Sequence, residues 1–392
     1  MPSDDGPLVA ADESFSHQIV ETHARVAQAD RSWTEKVCAM AAARDGGLQV
    51  ALGLGKYTNR NVFDAYAGVS RGREQWTVRG SRRLSDDPDR IGVGPVQYDV
   101  IEPFKRVRFR CEANAVVPVA FEWIFEAVVP PRLERRDRQH SRRGYRLDAE
   151  VLRYHQIGLA SGRVEIEGVR HEITPDSWFS TRDHSWGVRQ DVGQPPIDIE
   201  GAGTGAAAGA DGFSFRFSWS PMLLERPDGS VYAVHHQYRK LRAFGYEETM
   251  VEGGVEHPDG RTEQFATVQP DLRFDPVNRR VLGGTLQFAM ADGSARPITV
   301  EAIGDTGFHL GTGLYFGLDG RHHGEWRGKL HVDGEHIADC TTPDVARRIH
   351  QIRDAVMRVD DPIGGGRGWC NFQTAIVGEW PDEGLDAASS FI

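Results

Sequence analysis

Residues 282–303, LGGTLQFAMADGSARPITVEAI, are two alternating apolar–polar runs joined by an Asp-Gly pair. Leu282, Leu286, Phe288 and Met290 recur at even positions before the pair, and Ile298 and Val300 after it. A two-residue period puts alternate side chains on one face of a strand. Asp292-Gly293 supplies residues that accept the positive φ values of a type I′ hairpin turn. The pair recurs at Asp45-Gly46, Asp211-Gly212, Asp228-Gly229, Asp259-Gly260, Asp319-Gly320 and Asp333-Gly334. From about residue 213 to 337 this spacing predicts a β-meander with short loops, with 310–317 as one of its strands.

The preceding half carries the same signature. Runs 48–54, 62–69, 75–83, 98–101, 105–112 and 119–128 are strand-like, and Pro130-Pro131 ends the last because proline cannot continue a ladder. A charged connector, 133–146, leads to strands at 152–157, 163–173 and 178–189. Helices are expected at two places only. Residues 30–43 space Trp33, Val37, Cys38 and Met40 at helical intervals, and 342–359 do so with Ile349, Ile352 and Val356. The fold class is therefore mainly β: two antiparallel barrel-like halves with few helices. The glycine-rich stretch 201–212, GAGTGAAAGADG, divides a half spanning 31–200 from one spanning 201–392, after an N-terminal tail at 1–30.

Composition narrows the function. The 392 residues are 39% hydrophobic and 26% charged, enough for buried cores. A net charge of −11, with acids interleaved in the basic runs 132–146 and 347–358, argues against a nucleic-acid partner. Cys38, Cys111, Cys340 and Cys370 form no CxxC pair, and residues 1–18 have neither a basic nor an apolar leader segment. No run approaches the roughly 20 apolar residues that span a bilayer. Free thiols, a cytoplasmic location and no integral membrane segment are expected. No dinucleotide or P-loop motif lies between a strand and a helix; Gly364-Gly365-Gly366-Arg367-Gly368 lacks the spacing.

The densest chemistry is Ser180-Thr181-Arg182-Asp183-His184-Ser185-Trp186-Gly187-Val188-Arg189. On a strand, Arg182, His184 and Trp186 share a face with Trp178 and Ser180, while Asp183, Ser185 and Arg189 share the other. His184 can exchange a proton near neutral pH, and Trp186 offers a π face to a cation. The competing reading is an Arg-Asp pair and a buried histidine that only lock a barrel end. Other histidines, His322 and His323 beside Glu325 and the adjacent His235 and His236, are weaker metal candidates, because neighbours on one strand point opposite ways. No metal and no cofactor are expected. Glu165 and Glu167 share a face, as exposed acids on a hairpin commonly do.

The runs Tyr154-His155-Gln156-Ile157-Gly158, then 162–168 (GRVEIEG), then Arg182-Asp183-His184-Ser185-Trp186-Gly187-Val188-Arg189, resemble the carotenoid hydratase (hydroxyneurosporene synthase) superfamily, which includes kievitone hydratase and Diels–Alderase relatives. The likeness covers about 154–189, with a looser one at 98–131. It implies two lipocalin-like domains with a ligand cavity at or between them. It also implies that His184 and Trp186 match a His-x-Trp pair that carries water addition to an isoprenoid double bond. The family's Tyr-x-Asp element has no match between Asp211 and Tyr246.

Two functions follow. In the first, a cofactor-free enzyme adds or removes water, isomerises or cyclises at a double bond of a hydrophobic, isoprenoid-like substrate. His184, Asp183 and Trp186 would be catalytic, and Trp178, Arg182, Tyr154 and Gln156 would bind the substrate. In the second, the same barrel carries a hydrophobic ligand without chemistry. A His184 ring in an enclosed cavity beside an unpaired carboxyl favours the enzyme; a ring saturated by backbone bonds outside any pocket favours the carrier.

Overall fold

The computed structural model describes residues 8–15, 17, 20, 29–85, 90–140, 147–194, 213–243 and 245–391. Strand accounts for 62% of the chain and helix for 7%, so the chain is mainly β, as the alternation predicts. β1 (Trp33–Ala43), β2 (Gln49–Tyr57), β3 (Val62–Arg71) and β4 (Glu74–Arg83) form an antiparallel meander. β5 (Gly92–Val93), β6 (Val96–Glu102), β7 (Arg106–Cys111) and β8 (Val119–Ala127) form another. The short β9 (Arg132–Leu133), β10 (Asp137–His140) and β12 (Val169–Ile173) all pair with the long β11 (Leu147–Ile166). β13 (Trp178–Val188) then inserts between β1 and β11 and fuses the two meanders into one sheet. The sheet curls into a nearly closed barrel. At the seam, Arg82 of β4 donates to the carbonyl of Gly92 in β5 at 2.7 Å. Val37, Leu52, Phe63, Trp76, Phe109, Trp123 and Phe125 pack the interior.

The second sheet is a half-barrel. It contains β14 (Ser214–Glu225), β15 (Val231–Ala243), β16 (Tyr246–Glu256), β17 (Thr262–Gln264), β18 (Thr267–Phe274), β19 (Val281–Ala289) and β20 (Ala295–His309). After β20 the chain crosses back, and β21 (Leu330–Ile337) pairs with β4 on the first sheet. β22 (Arg353–Asp361) and β23 (Gly366–Val377) return and fill the gap between β20 and β14. The outer face of β1, β2 and β13 packs on this sheet through two apolar clusters. One joins Met40 and Ala51 to Phe308 and Ala375, and the other joins Ala42 and Phe179 to Leu223 and Val356.

The structure corrects both expected helices. Residues 33–43 are strand β1, whose two faces are both buried, one in the barrel and one against the second sheet. Apolar residues on both faces erase the two-residue period, and the run Ala39-Met40-Ala41-Ala42-Ala43 then imitates a helix. In 342–359 only α1 (Pro343–Arg348) is helical. His350 and Gln351 take positive φ values of 59° and 44°, which end the helix and launch β22. Residues 310–317 are not a strand either: Leu310–Gly313 is a 3-10 turn closed by Leu314 at φ 74°.

The Asp-Gly turns differ in detail from the expectation. At residues 45, 228, 259 and 292 only the glycine is left-handed, and the aspartate side chain accepts a backbone N–H two residues on, at 2.8–3.0 Å. These are Asx-type turns; among the described Asp-Gly pairs, only Asp319-Gly320 has positive φ at both positions. Asp333-Gly334 is no turn at all but lies inside β21. The proposed joint at 201–212, with Asp211-Gly212, and part of the charged connector, 141–146, lie outside the described residues. No helix among the described residues is long and apolar enough to cross a membrane.

Candidate functional site

β13 carries two different chemistries on its two faces. Its register sets Val37 and Tyr154 beside His184, Ala39 and Gln156 beside Arg182, and Glu35 beside Trp186. Trp178, Ser180, Arg182, His184 and Trp186 therefore point into the barrel, as alternation predicts. Asp183 and Ser185 point to the second sheet, together with Arg153 and His155 of β11 and Lys36 and Cys38 of β1.

The inner face is a closed ionic network, sealed by the N-terminal segment. His184 Nε2 lies 2.9 Å from Oε1 of Glu35, and its Nδ1 lies 3.1 Å from the Tyr154 hydroxyl. Tyr154 donates to Glu13, which also receives Arg182 at 2.9 and 3.1 Å and the Phe104 amide at 3.0 Å. Gln156 accepts from Arg182 at 3.1 Å and donates to the Phe104 carbonyl at 2.8 Å. His17 bridges Asp12 at 2.8 Å and Glu35 at 2.5 Å, and its ring stacks on Trp186 at 3.8 Å. Trp186 donates to the Val20 carbonyl at 2.9 Å. Burial opposes charge on His17, but Glu35 and Asp12 outweigh it and raise its pKa to about 9. Burial opposes charge on Glu35 and Glu13 too, but His17 and His184 together hold Glu35 below the ordinary range, and Arg182, Tyr154, the Phe104 amide and His184 together do so for Glu13. Both His184 nitrogens are engaged, by Glu35 and Tyr154.

The outer face borders a cavity between the sheets. It measures about 50 Å³ and is lined by Lys36, Cys38, Arg153, Asp183, Arg189 and Tyr315 from the barrel side and by Trp219, Asp354 and Gln373 from the second sheet. At roughly 10–15 Å³ per water, it has room for a few water molecules or one small polar group. Asp354, at the start of β22, is 1% exposed and accepts from the Gln373 amide at 3.4 Å. Burial pushes its carboxyl up to about 8. Burial raises Asp183 as well, although Arg153 Nε stands 3.1 Å from it. The Lys36 amine lies 3.1 Å from His323 Nε2 and 4.2 Å from the centre of the Tyr315 ring, and burial pulls it down to about 8. Arg189 donates to Ser185 at 2.5 Å, while its Nε meets no partner.

Of the residues singled out in the sequence, the structure joins His184, Trp186, Arg182, Tyr154 and Gln156 in the inner network. Asp183 is separated from them, on the cavity side. Trp178 belongs to the barrel core. Lys36, Asp354, Glu13, His17 and Glu35 were not singled out, and Tyr315 was read only as part of a structural strand at 311–317. They come from distant segments, and the local sign was at most a charged pair at the edge of an apolar run, as with Glu35-Lys36 before Val37-Cys38-Ala39-Met40. Glu165 and Glu167 are exposed at the β11–β12 hairpin, away from both sites.

Fold and cavity define the class: a mainly β protein of a nearly closed antiparallel barrel and a half-barrel sheet, with a cavity lined by charged side chains where the two sheets meet. The chain belongs to a family of unknown function (DUF8625), which matches it over residues 8–386. No curated protein matches the sequence. Among solved structures, the chain is similar to a protein assigned as AttH from Nitrosomonas europaea, with 11% identity, a TM-score of 0.49, and coverage of 88% of this chain and 92% of that one. It is also similar to CghA, with 13% identity, a TM-score of 0.49 and coverage of 96% and 94%. Kievitone hydratase from Nectria haematococca shares 8% identity at a TM-score of 0.40, with coverage of 87% and 88%.

Proposed function

We propose that the protein is an acid–base enzyme that adds or removes water, or shifts a double bond, in a small molecule whose polar end enters the cavity between the sheets. One observation carries this reading: a buried carboxyl, Asp354, and a buried amine, Lys36, line the same cavity, and both titrate near neutrality at about 8. Groups tuned in this way are suited to give and take protons at physiological pH. Asp354, neutral below about 8, would protonate carbon. Lys36, once deprotonated, would take the proton of the attacking water. In the reverse direction the roles exchange.

The charges select the substrate. Arg153 and Arg189 stay charged while Lys36 acts as the base, and they line the cavity beside Asp183, so an enolate oxygen placed against them would be stabilised. The hydrophobic substrate expected from the sequence is thereby narrowed to one bearing a carbonyl conjugated to the double bond. His184 and Trp186 would act from the other face by holding β13 in place. The carrier reading needs an open barrel lumen, which the aromatic core of Phe63, Phe109, Trp123 and Phe125 fills.

The test is a panel of conjugated enones, followed by loss of enone absorbance and by a mass change of one water. The acid must be protonated and the base free. Activity should therefore rise and then fall around pH 8, giving a narrow bell. Asp354→Asn and Lys36→Met should each lower turnover about 10²–10⁴-fold without loss of fold. Undiminished turnover in folded Asp354→Asn would refute the assignment.

A further inference from the structure

A second cluster of chemistry bridges the two sheets outside the cavity. His155 of β11 faces away from the barrel and meets His235 of β15 and Glu256 of β16. All three residues are at most 3% exposed. Their nearest ligand-type atoms lie within 4.8 Å of one another. Glu256 Oε1 is 2.9 Å from His155 Nε2 and 2.7 Å from His235 Nδ1. His235 Nε2 and Glu256 Oε2 are buried and have no hydrogen-bond partner among the described residues. An orphaned imidazole nitrogen beside an orphaned carboxylate oxygen is costly to bury unless something binds both.

We propose that His155, His235 and Glu256 bind a divalent transition-metal ion that ties the barrel to the second sheet. Two imidazoles and one carboxylate form the donor set of zinc and ferrous sites that keep an open position. The supporting shell is built in as well. Glu134 accepts from His155 Nδ1 at 2.9 Å and is itself held by the indole N–H of Trp219 at 2.8 Å. A carboxylate on the far nitrogen fixes the tautomer that turns the Nε2 lone pair toward a metal. The expectation of no metal considered ligands on one strand. His235 and His236 do face opposite ways, and the set is completed instead by strands from both sheets.

The contrast with the inner network is instructive. His17, Glu35 and His184 also converge, but every histidine nitrogen there has a hydrogen-bonding partner, so that group is complete without an ion.

Full-length protein, stripped with a chelator, is titrated with zinc chloride and followed by bound-metal analysis and thermal melting. One zinc per chain and a higher Tm are expected. His235→Ala should weaken binding roughly 100-fold or more and remove the Tm shift, and Glu134→Gln should weaken it about 10–100-fold. His235→Asn, which keeps a polar side chain and more of the volume than alanine, carries the test if the alanine variant does not fold. Wild-type protein without saturable zinc uptake would overturn the proposal. So would uptake retained by the His235 variants, or uptake abolished by His17→Ala but not by His235→Asn.

Discussion

Asp354 shows at the scale of one residue how function and stability oppose each other. Its carboxyl titrates near 8 in the fold against a reference of 3.8, because burial disfavours the charged form. The native state thus favours the protonated acid. That contribution is complete below about 3.8, declines as pH rises, and is lost by about 8. A shift of this size implies a loss on the order of 4 kcal/mol between pH 5 and pH 9. Asp354→Asn removes the titration. The variant should therefore gain on wild type as pH rises, and urea melts at pH 5 and pH 9 measure the gap. An equal difference at both pH values would contradict a buried, neutral acid. His17 has a raised pKa for the opposite reason, its attraction to Glu35 and Asp12. Its stabilisation is complete below 6.5 and is lost as pH rises through about 9.

At the scale of the element, β13 works because it is pressed between β1 and β11. Gly187 permits that contact: at φ 138°, a β-carbon there would stand 1.9 Å from the carbonyl oxygen of Glu150. Gly187→Ala must push β11 away, and about 2–4 kcal/mol of destabilisation is expected. Gly168, in the β11–β12 turn, has φ 82° and open space around it, so Gly168→Ala should cost only the backbone term of about 1–2 kcal/mol. Thermal melts of the pair would separate a steric clash from a conformational preference. Equal losses would mean that the close approach is of no consequence. The sequence motif around His184 displayed the two faces of β13 correctly, because strand alternation is local. β1 was misread as a helix because burial on both faces is decided by distant partners.

The whole molecule is held together by buried amides as well as by apolar contact. Gln49 of the barrel donates to Asn371 of β23 at 3.0 Å, and Asn371 donates to Thr181 of β13 at 2.8 Å. The Phe308 amide closes the chain on Gln49 at 2.8 Å. With β21 also paired to the barrel, the sheets should unfold together, and far- and near-UV circular dichroism should report one coincident transition. Asn371→Ala leaves Gln49 and Thr181 each short of a partner and should cost about 2–4 kcal/mol. Separate transitions in the wild type, or a neutral Asn371→Ala, would show that the two sheets are independent.

The β class, most strands and the in-and-out pattern of 178–189 are determined by the sequence itself, because alternation and turn chemistry act over a few residues. The resemblance of 154–189 to a hydratase superfamily was legible for the same reason, since its residues are consecutive. Which groups meet across the molecule was decided only in three dimensions. Asp183 left His184 one position away and joined Lys36, 147 positions upstream, and Asp354, 171 positions downstream. His155 likewise found His235 and Glu256 on the other sheet. Burial between two packed layers sets the protonation of such groups, and no local pattern encodes which layers will meet.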